Sequence, residues 1–180
     1  CKNQSIKNIY RAARINPNIA ALDAYLAYQY AQTILNGRFE LGEKAIAENP
    51  YYSYRYAQTI LNGRFELGEK AISESALYSY RYAAEVIEGP FGLGEPTIAE
   101  SAEFSYDYAC WALKGSFSLG EYVISKSSLY SYFYAHDVLK DKFLLGEPEI
   151  AKSFYHSKWY ANKVLKRDFY HNDKLVCKYD

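Results

Sequence analysis

Apolar residues recur along this chain at helical spacing, inside a longer and stricter period. Tyr54, Ala57, Ile60 and Leu61 stand at i, i+3, i+6 and i+7, which is one face of a helix. The same face returns every 26 residues. Tyr-x-Tyr-Ala begins at Tyr28, Tyr54, Tyr80, Tyr106 and Tyr132, with a decayed copy from Lys158, and Leu-Gly-Glu begins at Leu41, Leu67, Leu93, Leu119 and Leu145. Residues 28–49 and 54–75 differ at only three of 22 positions. A fixed period of this length is the mark of a repeat architecture.

Each period predicts two helices. In the second copy Asn49 stands as N-cap, Pro50 at the first helical position and Gly63 where a left-handed residue would close the longer helix A. Ser75, Ser101, Ser127 and Ser153 take the cap in later copies. Ala57 and its equivalents Ala31, Ala83, Ala109, Ala135 and Ala161 never vary, as expected where a neighbouring helix approaches closely. Helix B is shorter. Pro96 and Pro148 replace Lys70, and proline is tolerated only in a first turn, so helix B begins near the Gly-Glu pair and runs two turns. Glu69 and its equivalents Glu43, Glu95, Glu121 and Glu147 then sit at the positive end of helix B. Phe65, Leu67 and Ile72 are the predicted core anchors. Gly68, present in all five clear copies, implies positive φ or close backbone approach.

One such unit cannot bury its own apolar face, so stacked neighbours supply the core. The expected fold is all-α: an α-solenoid of about six helix–turn–helix units with N- and C-terminal capping helices, a single domain over 1–180. Residues 1–24 form the N-terminal cap, 25–153 the regular repeats and 154–180 a degenerate capping copy. In the N-terminal part a helix is expected over residues 5–15. Asn16-Pro17 stands seven residues further from its Tyr-x-Tyr-Ala than Asn49-Pro50 does, which predicts one long first helix over 17–36.

Composition changes this picture little. Hydrophobic content is 49%, enough for a core, and 21 of 180 residues are tyrosine, whose ring and hydroxyl suit half-wet helices. Formal net charge is zero, with ten basic against eighteen acidic residues over 17–151 and basic ends, which argues against a nucleic-acid partner. Cys1, Cys110 and Cys177 are odd in number and unpaired in spacing, as in a reducing, cytoplasmic setting. No apolar run suits a membrane span and no signal peptide is visible. Cys1 in place of Met predicts an initiator or a longer segment before it.

No constellation carries catalysis, since the recurring groups are alike and spread one per repeat. His136, His156 and His171 lack ligand spacing, so no metal and no cofactor is expected. The two tyrosine series, at Tyr54 and Tyr56, are read as helix packing, the alternative being a ring-lined groove for a small molecule. What escapes the repeat is more telling. The slot between the tyrosines reads Gln29, Arg55, Arg81, Asp107, Phe133, Trp159, and the following turn includes Trp111. Arg55, Arg81, Asp107, Phe133, Trp159 and Trp111 are therefore the candidate partner-binding residues, on one side of helix A.

The pattern Tyr-x-Tyr-Ala-x-x-x-Leu-x-Gly-x-Phe-x-x-Gly-Glu-x-x-Ile, over about residues 26–170, resembles the Tyr/Ala-rich tandem repeats of large phages and giant viruses. Gly37-Arg38-Phe39 and Gly63-Arg64-Phe65 match their second half, with Glu40 and Glu66 in place of a proline. More loosely, the helix-pair logic is similar to TPR and Sel1-like repeats, whose role is scaffolding. The resemblance implies no activity. The expectation is a non-enzymatic viral protein in the host cytoplasm, with a host-defence antagonist as one form of it, presenting a curved helical surface to a host or viral protein. A small-ligand or nucleotide sequestering protein is the second class.

Overall fold

The period of 26 residues is realised as an alternation of a longer and a shorter helix. The computed structural model describes residues 11–180. The chain divides into two compact units, residues 1–87 and 88–180. The helix expected over 5–15 begins outside the described residues; residues 11–13 are helical.

In unit 1 the longer helices are Ala24–Tyr30, Pro50–Tyr56 and Ala76–Tyr82, each running on into a wider π-helical segment, Ala31–Leu35, Ala57–Leu61 and Ala83–Ile87. The shorter ones are Glu43–Ala47 and Glu69–Ser73, each entered through a 3-10 turn, Glu40–Gly42 and Glu66–Gly68. Asn49 caps as expected: its side chain accepts from the Tyr52 N–H at 3.1 Å. Tyr56, Ala57, Ile46, Ile72, Tyr82 and Ala83 have no exposed surface. Burying an aliphatic or aromatic side chain of this kind contributes about 1.5–3 kcal/mol, so the face marked in the sequence is the stabilising one.

Unit 2 repeats the plan. Helix A is Ala102–Asp107, Ser128–Phe133 and Phe154–Trp159, continued by Tyr108–Leu113, Tyr134–Leu139 and Tyr160–Leu165; helix B is Glu95–Ile98, Glu121–Ile124 and Glu147–Ile150. Ser101, Ser127 and Ser153 accept from the N–H three residues on, at 3.4 Å each. The all-α helical repeat is thus the architecture of both units. Helix B starts at the glutamate, with Pro96 and Pro148 inside its first turn, and is shorter than the two turns expected.

Four details depart from the sequence reading. The left-handed residue that closes helix A is the one before the glycine: Asn36, Asn62, Glu88, Lys114, Lys140 and Lys166 have φ between 48° and 55°, and no described glycine has positive φ. The cause is the widened last turn. The Ala57 carbonyl accepts from the N–H of Asn62 and also of Gly63 at 3.1 Å, which brings the reversal one residue forward. Second, Leu67 is 58% exposed and its equivalents are similar, because the turn before helix B, a 3-10 turn in unit 1, leaves Phe65 and its equivalents inside and the leucines out. Third, the first helix is broken. Pro17–Ala20 ends in a turn, and Asp23 starts a new helix by accepting from the Leu26 N–H at 3.0 Å. Fourth, the C-terminal capping copy is helical only through Leu165 and ends in a hairpin. Strands β1 (Phe169–His171) and β2 (Lys174–Cys177) pair antiparallel around Asn172 and Asp173, at φ 49° and 59°. Two successive left-handed residues make the tight turn that suits a hairpin, and Asn and Asp tolerate it.

Gly68 answers its own question by close approach. A Cβ there would lie 2.5 Å from the Phe65 ring and 2.6 Å from the Ser53 hydroxyl. That serine is fully buried and donates to the Ile46 carbonyl at 2.9 Å. The same bond recurs from Ser79, Ser105, Ser131 and Ser157 to Ile72, Ile98, Ile124 and Ile150.

Candidate functional site

Before any residue is assigned to function, the tyrosines have to be accounted for. Tyr56, Tyr82, Tyr108, Tyr134 and Tyr160 are completely buried. Each hydroxyl stands in a relay. The Phe39 N–H donates to the Tyr56 oxygen at 2.7 Å, and Tyr56 donates to the Glu43 carboxylate at 3.1 Å. The relay recurs from Phe65 through Tyr82 to Glu69, from Phe91 through Tyr108 to Glu95, from Phe117 through Tyr134 to Glu121, and from Phe143 through Tyr160 to Glu147. It satisfies a buried loop amide and fixes one copy to the next. Burial pushes the Tyr56 phenol up to about 12, the amide bond from Phe39 opposing and Glu43 adding to it. Burial likewise raises Tyr82, Tyr108, Tyr134 and Tyr160. The recurring glutamates thus sit at the start of helix B as expected, and also terminate these relays.

The Tyr54 series behaves differently. Its hydroxyls reach 31 residues ahead: Tyr28 to Thr59 at 3.1 Å, Tyr54 to Glu85 at 2.5 Å, Tyr106 to Asp137 at 2.8 Å. The variable stripe is therefore partly engaged by the copy before it. Sequence reasoning missed these bonds. Their signal was that positions 59, 85 and 137, although different, are all hydrogen-bond acceptors.

In unit 1 the stripe is polar. Arg55 is half-buried and donates to Gln58 at 2.9 Å, while its buried Nε has no partner. Arg81 is exposed.

In unit 2 it turns aromatic. Asp107 is half-buried, and burial followed by Glu103 raises its carboxyl above the ordinary range. Phe133 packs on Tyr106 and Tyr132, at centroid distances of 5.8 and 5.4 Å. Trp159 packs on Tyr132 and His156 at 5.6 and 5.5 Å, yet leaves 43% of its surface exposed. Phe133 and Trp159 are thus joined through Tyr132 in one aromatic row. Trp111 is not a member of that row; it is 63% exposed and lines a cleft with Lys114 and Lys140.

Among the described residues no three His, Cys, Asp or Glu side chains converge as a metal site requires, and no helix is long and apolar enough to cross a membrane. The chain matches no known protein family, no curated protein and no solved structure.

Proposed function

We propose that the chain is a non-enzymatic interaction protein that docks a protein partner on the aromatic row of unit 2. The observation that carries this reading is Trp159, exposed over 43% of its surface while packed against Tyr132 and His156. Large aromatics anchored at the base and open at the face are what dominate protein interfaces. Phe133 extends the row. The recurring residues, the exposed leucines of the Leu67 series apart, are taken up in core packing and relays, which favours the residues that vary for recognition. The resemblance to repeats of phages and giant viruses supports a viral origin and a partner inside the host cell.

A photo-crosslinking amino acid placed at 133 or 159 tests this in the native host. The expected result is one shared adduct from both positions, absent when the crosslinker replaces Tyr122 or Glu149 on helix B of the same unit. Equal labelling from both faces, or none from the row, overturns the reading.

A further inference from the structure

Unit 2 holds a cleft of about 630 Å³ that the aromatic row does not use. It opens where Tyr108–Leu113 and Tyr134–Leu139 end, and its walls include Tyr106, Cys110, Trp111, Asp137, Lys114 and Lys140. The volume falls within the range of small-molecule sites. Its chemistry is mixed in a particular way. Trp111 presents an indole that is 63% exposed. Lys114 and Lys140, held by their left-handed backbone at the helix ends, bring two cations. Asp137 accepts from Tyr106 at 2.8 Å and contacts His136 at 2.6 Å, and a carboxylate has lone pairs left for a further donor. Burial pushes the Cys110 thiol up, so it is a neutral wall and not a nucleophile.

We infer that this cleft binds a nucleotide, its base against Trp111, a base N–H on Asp137 and its phosphate between Lys114 and Lys140. A phosphate dianion matches two lysines. A simple carboxylate would meet Asp137 with nothing to donate. An aromatic ring with amino groups uses both the indole face and the carboxylate. The first two copies of the repeat lack this chemistry: Thr33 and Thr59 stand for Trp111, Asn36 and Asn62 for Lys114. The inference is independent of the docking reading, since it involves neither Phe133 nor Trp159.

Those earlier copies supply the test. Trp111→Thr, Lys114→Asn and Lys140→Asn each install a residue that the repeat already carries at that position in its first copies, the asparagines at positive φ. Equilibrium dialysis of the purified chain with AMP, adenosine and ribose 5-phosphate is expected to show saturable AMP binding. Each fragment should bind more weakly. Trp111→Thr should weaken AMP about ten-fold, the worth of one stacked base, and the double lysine variant should abolish the advantage of AMP over adenosine. A short single-stranded oligonucleotide is the second arm: tighter binding than AMP assigns the nucleotide to a strand, weaker binding to the free pool. No saturable AMP or oligonucleotide binding, or binding unchanged in both variants with helical content retained, overturns the inference. Because no partner protein is present, failure here leaves the crosslinking test untouched.

Discussion

Units 1 and 2 are built on the same relay but finish it differently. In unit 1 the glutamate that accepts the tyrosine's hydrogen bond also takes a fork from arginine: Arg38 reaches Glu43 at 2.7 and 3.1 Å, and Arg64 reaches Glu69 at 2.8 and 3.0 Å. In unit 2 the equivalent positions carry Pro90, Ser116, Lys142 and Asp168, and among the described residues the Glu121 carboxylate receives only Tyr134. A bidentate guanidinium is matched to a carboxylate in a way that a lysine is not. The relay is therefore the shared requirement and the arginine fork an addition. The stripe diverges in parallel, polar in unit 1 and aromatic in unit 2. What the fold needs has been copied; what it tolerates has been allowed to differ.

The largest effect expected is one that does not distinguish the units. Gly68→Ala and Gly120→Ala each place a methyl about as close to a phenylalanine ring and a buried serine, the nearest contacts being 2.5 and 2.6 Å. Over-packing of this order costs about 1–3 kcal/mol. Thermal unfolding should show similar losses for both, and a loss in one unit only would break the claim of a common framework.

Removing a relay hydroxyl should come next and should separate the units. Tyr56→Phe and Tyr134→Phe both leave a buried loop amide unpaired, at Phe39 or Phe117, a loss of about 1–3 kcal/mol. Glu43 keeps Arg38, whereas among the described residues no other side chain bonds the Glu121 carboxylate. Urea unfolding should therefore rank Tyr134→Phe as the costlier. Equal costs would mean that the fork does not share the load.

The relay was half legible in the sequence. Tyr56, Glu69 and Phe65 were each singled out by recurrence, and Phe65 and Ile72 were placed correctly in the core. That Phe65, Tyr82 and Glu69 form one chain was not legible, because the bond spans 17 residues along the sequence and follows from how one copy stacks on the next. The left-handed position was misplaced by one residue for a related reason. A glycine is visible as a letter, whereas a widened helical turn that moves the reversal to Asn62 is set by packing around Ala57. Leu67 looked like core because recurrence and hydrophobicity coincide there, yet recurrence records copying as well as burial. The C-terminal hairpin had a readable signal in His171-Asn172-Asp173, obscured by reading it only as a decayed Leu-Gly-Glu. Of the six candidate partner-binding residues the shared side of helix A was legible but not the degree of engagement, since Tyr106 packs on Phe133 and Tyr132 on Trp159 from the preceding copy.

Alkaline pH probes the relay in both units without mutation. The buried phenols hold their protons above the ordinary tyrosine value of about 10. A folded value raised above the unfolded one gives stability that is complete below pH ~10 and is lost as pH rises toward the folded value, which for Tyr56 is about 12. Unfolding free energy should fall most steeply above pH ~10, after a smaller loss from the Cys110 thiol, which burial also raises. Tyr134→Phe should reduce the steepness of that fall; an unchanged slope would remove Tyr134 as a source of the alkaline transition.

The smallest effect is the most informative about the difference between the units. The Arg38 side chain is 59% exposed, so its fork to Glu43 works against solvent screening, and Arg38→Ala alone should shift the melting curve only slightly. Its worth should appear in combination. Once Tyr56→Phe has removed the hydroxyl, Arg38 is the only side chain left on a carboxylate whose residue is 8% exposed. Adding Arg38→Ala to Tyr56→Phe should bring unit 1 down to the cost seen for Tyr134→Phe, a coupling that a double-mutant cycle reads directly. Strict additivity would mean that the arginine and the tyrosine stabilise Glu43 independently. The absence of arginine from unit 2 would then be neutral drift on an exposed surface and not a difference in how the two units are held together.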